Sequence, residues 1–136
     1  MIPARQSERA LRIVVADDDP DTVFTLATIL RDEGHDVRRA YRGDAVLDQV
    51  RTYKPDAVLL DISMPGLSGF EIVRRLRKEL GEACPLLVAV TGLHEQSAKT
   101  IGKVAGFHHY LTKPYSTDAL LDLLAHLIHP SRPAKS

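Results

Sequence analysis

The sequence predicts an α/β fold: a (βα)5 arrangement, an open doubly wound parallel sheet with helices on both sides. Two observations carry that prediction. Five short runs rich in apolar and β-branched residues recur along the chain, several of them apolar throughout. Amphipathic segments of helical period lie between them. Strands apolar on both faces are those that helices cover from both sides, as in parallel sheets, and alternation of strand and helix is the pattern of an α/β domain.

Each element has its own signal. The first strand, Arg12–Ala16, runs into Asp17, Asp18 and Asp19. The segment Asp21–Asp32 carries Val23, Leu26, Ala27 and Leu30 on one side and stops at Gly34. Asp36–Ala40 is the second strand; Asp44–Thr52, with Ala45, Leu47 and Val50, the second helix. Ala57–Leu60 is the third strand. Ser68–Leu80 turns Ile72, Val73, Leu76 and Leu80 inward and ends at Gly81. Leu86–Val90 is the fourth strand. His94–Ala105 places Ala98, Ile101 and Ala105 on one side and ends at Gly106. Phe107–Leu111 is the fifth strand, and Thr117–His129, the most apolar helix, stops at Pro130. Glycine after a helix and proline beyond one are stop signals. Residues 1–10 and 130–136 are polar and read as flexible tails on a single domain, 11–129.

Composition narrows the function. At 136 residues the chain has the length of one domain. Lys plus Arg and Asp plus Glu number 18 each, so nothing favours a nucleic-acid or membrane partner held by bulk charge. The lone Cys84 cannot form an internal disulfide and fits a reducing compartment. Met1–Ala10 has no apolar leader, and no stretch approaches the ~20 apolar residues of a membrane span. The expected location is the cytoplasm.

Ligands of open α/β sheets sit outside the carboxyl ends of the strands. The side chains expected there are Asp17 and Asp18 after the first strand, Asp61 after the third, Thr91 after the fourth and Lys113 after the fifth. The second strand, an expected edge, leads only to Tyr41–Arg42–Gly43. Helix capping accounts for one or two acids after the first strand, and Asp19 and Asp21 suit that work. Asp17, Asp18 and Asp61 are left as hard oxygen ligands suited to Mg²⁺, which takes one or two carboxylates and phosphate oxygens and keeps several waters. With an amine and a hydroxyl beside them, these groups suit phosphoryl transfer onto a carboxylate nucleophile.

In this order the residues resemble the receiver domain of two-component response regulators, over roughly Leu11 to Ile128. The acidic pair matches Asp17–Asp18, the phospho-acceptor Asp61, the hydroxyl position Thr91 and the Lys–Pro pair Lys113–Pro114. The segment Asp61–Ile–Ser–Met64–Pro65–Gly66–Leu–Ser–Gly69 matches the motif after the acceptor; GFHHYLTKP resembles receivers attached to hybrid sensor kinases. The resemblance implies a flavodoxin-like sheet of order 2-1-3-4-5 and a phosphorylation-activated signalling switch that catalyses its own phosphorylation and dephosphorylation, and is not otherwise an enzyme. It implies Asp18 as a direct Mg²⁺ ligand (Mn²⁺ able to substitute), Asp17 acting largely through water, and Asp61 and the backbone carbonyl of Ser63 as further ligands. It also implies a cis Lys113–Pro114 peptide and Tyr110 as the aromatic switch beside Thr91. Ser63 and Leu93 would flank the approach of hydrolytic water. The implied partners are a sensor histidine kinase or histidine phosphotransfer protein, and a downstream target on the face formed by 94–105, 107–111 and 117–129.

Two other readings compete. Asp19–Pro–Asp21–Thr22–Val23 formally matches the DxDx[TV] signature of haloacid-dehalogenase-type phosphatases, with Asp19 as nucleophile. That Asp lies two residues past the expected strand end, and the reading leaves Asp61 without a role. A receiver that binds partners without being phosphorylated is the other. His108 and His109, as neighbours in a strand, point to opposite faces and read as structural. Arg74, Arg75, Arg77 and Lys78 read as the solvated face of a helix, with Glu71, Glu79 and Glu82 nearby.

Overall fold

A computed structural model describes residues 10–62, 64, 66–91, 106–113 and 115–128, the side chains of 91, 127 and 128 excepted. Strands β1 (Arg12–Ala16), β2 (Asp36–Ala40), β3 (Ala57–Asp61), β4 (Leu86–Thr91) and β5 (His109–Thr112) form one parallel sheet in the order β2-β1-β3-β4-β5. Helices α1 (Pro20–Asp32), α2 (Gly43–Tyr53) and α3 (Gly69–Leu80), a single 3₁₀ turn (Gly81–Ala83) and a C-terminal helix (Thr117–Ile128) complete the described elements. The expected helix His94–Ala105 lies outside the described residues.

The period of two along each strand divides the core. Ile13 and Val15, Ala57 and Leu59, and Val88 and Val90 face one side. There they pack with Val23, Leu26 and Leu30 of α1 and with Leu120 and Leu124 of the C-terminal helix. Val14, Val58, Leu60, Leu87 and Ala89 face the other, against Val46, Leu47 and Val50 of α2 and Ile72, Val73 and Leu76 of α3. Every residue of β3 is buried, as the expectation of a strand covered on both faces requires.

Strand ends differ from the sequence reading in four places, β5 running one residue further, to Thr112, among them. β3 and β4 each run one residue further, to Asp61 and Thr91, because the ladder to the neighbouring strand continues: Asp61 is in register with Val90 and Thr91 with Thr112. β5 starts at His109, two residues late. Phe107 is buried in the α2/α3 layer, and the His108 N–H reaches Leu87 O at 2.8 Å before regular pairing begins.

Two glycines bring the segment after β3 down onto the fold. A Cβ on Gly69 would stand 2.8 Å from Ile62 Cα, and one on Gly43 would collide with the Leu67 carbonyl. With bare α-carbons at both positions, α3 starts directly against the chain leaving β3. Ser68 caps α3, its hydroxyl accepting from Glu71 N–H at 3.2 Å.

Candidate functional site

Register brings the site together. Ala16 of β1 is paired with Leu60 of β3, so the next residues, Asp17 and Asp61, emerge side by side at the carboxyl edge. Asp17 leaves β1 still bonded to the neighbouring strand, its N–H donating to Ala40 O at 3.1 Å. Lys113 follows β5 from across β4 and spans both acids: its Nζ lies 2.9 Å from Asp17 Oδ2 and 3.4 Å from Asp61 Oδ2.

Burial separates the acids. Asp17 and Asp61 are 3% and 5% exposed, whereas Asp18 is exposed to solvent. Both oxygens of Asp17 are engaged: Oδ2 by Lys113, and Oδ1 by the Asp19 N–H at 3.0 Å. Burial pulls the Lys113 ammonium down, but the hydrogen bond to Asp17 and the charge of Asp61 outweigh it, and its pKa rises above the ordinary lysine value.

One carboxylate oxygen each from Asp17, Asp18 and Asp61 lies within 4.8 Å of the others. Opposite ligands of Mg²⁺ stand about 4.2 Å apart, twice its ligand distance, so small side-chain shifts would bring this oxygen-only set onto one ion. The residues fit that metal. Chemically the crevice offers a carboxylate nucleophile, anionic oxygens for a hard cation and an ammonium for phosphoryl oxygens.

The other expected site residues fall as follows. Thr91 ends β4, next to the Val90 that pairs with Asp61; its side chain lies outside the description, as do Ser63, Leu93 and Pro114, and with Pro114 the expected cis peptide. Tyr110 already leans on the α2/α3 layer, its ring 6.3 Å from that of Phe107. Its hydroxyl is buried without a hydrogen-bond partner among the described residues, and burial raises its pKa. Asp19 caps α1: its carboxylate accepts from Asp21 N–H at 3.2 Å and from the Thr22 hydroxyl at 2.7 Å, the hydroxyl being the main cause of its lowered pKa.

The basic run on α3 divides. Arg74 and Arg75 pair with Glu71 on the same helix, as a solvated face would. Arg77 instead reaches across to the chain entering β5, donating from Nε to the Gly106 carbonyl at 3.0 Å and from its terminal nitrogen, which also lies 3.1 Å from His108 Nε2. Its charge pattern resembles that of its neighbours, so no local signal distinguishes it.

Comparison with known proteins agrees with the geometry. Residues 13–125 match the response regulator receiver domain family. PilH of Pseudomonas aeruginosa is 38% identical over 110 residues, covering 81% of this chain and 91% of PilH. The response regulator MprA of Mycobacterium tuberculosis is 36% identical over 124 residues, but the chain spans only 53% of its length. Among solved structures, a Francisella response regulator receiver domain superposes with a TM-score of 0.80 at 28% identity, covering 90% of this chain and 99% of that one. No helix among the described residues is long and apolar enough to cross a membrane.

Proposed function

This chain belongs to the response regulator receiver domain family of two-component signalling, and from that premise we propose that it is a phosphorylation-activated switch with Asp61 as its phospho-acceptor. The donor is a phosphohistidine of a sensor histidine kinase or histidine phosphotransfer protein. An Asp61 oxygen attacks phosphorus as the bond to the imidazole nitrogen breaks, the phosphoryl passes to the carboxylate, and the imidazole leaves carrying its electron pair.

The single observation that supports this most is the meeting of Asp17, Asp18 and Asp61 within 4.8 Å, with Lys113 Nζ 3.4 Å from Asp61. Asp61 ends a fully buried strand, so its carboxylate is held on a rigid edge with little orientation left to lose. Lys113, bonded to Asp17 at rest, supplies the positive charge for the arriving phosphoryl oxygens. Mg²⁺ held there would neutralise charge building on the phosphoryl oxygens. Exposed Asp18 would be its direct ligand, and Asp17, with both oxygens occupied, would act through water. Asp61 and, from the family resemblance, the Ser63 carbonyl would be the further ligands.

Thr91 and Tyr110 carry the message to a target on the 94–105, 107–111 and 117–129 face. The domain runs over 11–129, which the burial of Leu11 supports; it works in the cytoplasm, where Cys84 is a free thiol. The capping of α1 by the Asp19 carboxylate supports its structural role over that of a phosphatase nucleophile.

The test is intact-mass measurement after incubation with acetyl phosphate. One phosphoryl group should be gained with Mg²⁺ and none without it. The gain should vanish in Asp61→Asn and persist in Asp19→Asn. Modification mapped to Asp19 would overturn the assignment, and no modification in any form would favour a binding-only receiver.

A further inference from the structure

The four described histidines fall into two kinds. His35 Nδ1 accepts from Leu11 N–H at 3.0 Å, and His108 Nδ1 accepts from Leu87 N–H at 2.9 Å; these two are bound into the backbone. His109 and His126 are different. Among the described residues no hydrogen bond or ion pair occupies a nitrogen of either ring, and the rings meet edge-on, with centroids 5.5 Å apart and planes at 84°.

They come from separate elements. His109 is the first residue of β5, and His126 lies in the last turn of the C-terminal helix, which returns antiparallel to that strand. Both are half-buried. The helix buries Leu120 and Leu124 in the same layer as Leu111, so the backbone that carries the two rings is held by packing.

The spacing matches shared ligation. Two imidazoles on one tetrahedral ion at Zn–N of about 2.1 Å have ring centres roughly 5.3 Å apart. We propose that His109 and His126 form a two-histidine site for Zn²⁺, with water completing the coordination, at the end of the molecule opposite the carboxylate crevice. His109 and Lys113 are four residues apart on an extended strand, roughly 13 Å, so one ion cannot engage both sites. The ligand types also differ: imidazole suits Zn²⁺, whereas an all-oxygen carboxylate set suits Mg²⁺. An ion held here ties β5 to the C-terminal helix.

The experiment is calorimetric titration of Zn²⁺ into the full chain at neutral pH in saturating Mg²⁺, which occupies the carboxylates. One Zn²⁺ should bind, with affinity reduced roughly tenfold or more in both His109→Gln and His126→Gln and unchanged in His108→Gln. On the unsubstituted chain, sub-stoichiometric Zn²⁺ should move the ring proton resonances of His109 and His126 together while those of His35 stay in place; this readout holds even where a variant folds poorly. Absence of binding, displacement by Mg²⁺, unchanged affinity in either His109→Gln or His126→Gln, or movement of only one of the two rings would overturn the site.

Discussion

Lys113 and Asp17 form the tightest contact in the crevice, and it decides how the acids divide their work. With its two oxygens held by Lys113 and by Asp19 N–H, Asp17 has little to offer a metal directly, while Asp18 stands open. Asp18→Ala should therefore weaken Mg²⁺ binding more than Asp17→Ala, whose effect should stay within the roughly 10–100-fold expected of an outer partner. Equal Mg²⁺ titrations for the two variants would refute the division. Tyr110 makes a second residue-level case. Its hydroxyl is buried with no partner among the described residues, and such a group costs about 1–3 kcal/mol. Tyr110→Phe should raise the urea midpoint, by roughly 1 kcal/mol in stability; a lower midpoint would mean that the hydroxyl has a partner in the resting fold.

Between elements, close approach and histidine acceptors control the fit. Gly69 lets α3 meet the chain leaving β3, and an alanine there would place Cβ against Ile62 backbone, where no side-chain rotation relieves it. Gly69→Ala should cost about 1–3 kcal/mol and slow phosphorylation of Asp61, eight residues earlier on the same connection; unchanged stability would show that the connection yields freely. His35 and His108 each present a bare Nδ1 to a backbone N–H, so protonation breaks both bonds. Burial lowers the pKa of each from its ordinary value near 6.5, with the charges of Arg77 and His109 adding to the effect on His108. Below pH 6.5 the unfolded chain binds protons that the fold resists. Stability from these groups is complete above that pH and declines as pH falls below it, until the folded-state pKa values are passed. Denaturation midpoints should drop between pH 6.5 and 5.5, and His35→Leu should flatten that dependence. A flat profile in the unsubstituted chain would contradict it.

Across the whole molecule, the proposed switch requires that phosphorylation at Asp61 be felt at a partner surface. Asp61 is in register with Val90, and Val90 with Leu111 of β5, so the path to the edge strand is two ladder steps. From the sequence, the segment 94–105 is the weakest predicted helix, with Gly102 costing about 1 kcal/mol relative to Ala, and with β-branched Thr100, Ile101 and Val104. Segments that respond to ligands come from the low-stability end of a fold. Amide exchange over 94–105 should change on phosphorylation, and Thr91→Ala should still accept phosphate while losing the change. A response that survives in Thr91→Ala would place the coupling elsewhere, because a ligand shifts an equilibrium only through its differential contacts with the two states.

The sequence by itself determined the strand–helix alternation among the described elements, the faces that α1 and α3 bury and the types of residue at the strand ends. These follow from periodicity, capping and stop signals, all of which act within a few residues. It also separated Asp19 as a cap from Asp17 and Asp18, since capping needs only one or two acids. Only the tertiary structure decided who meets whom. Ladder register set Asp17 beside Asp61 and carried Lys113, 96 positions further along the chain, to within 2.9 Å of Asp17. The same long-range pairing separated His108 from His109, one bound to Leu87 and the other facing His126, and sent Arg77 to Gly106 while its neighbours stayed on their own helix. Such contacts depend on how strands and helices pack across the sheet, and no spacing along one segment encodes that.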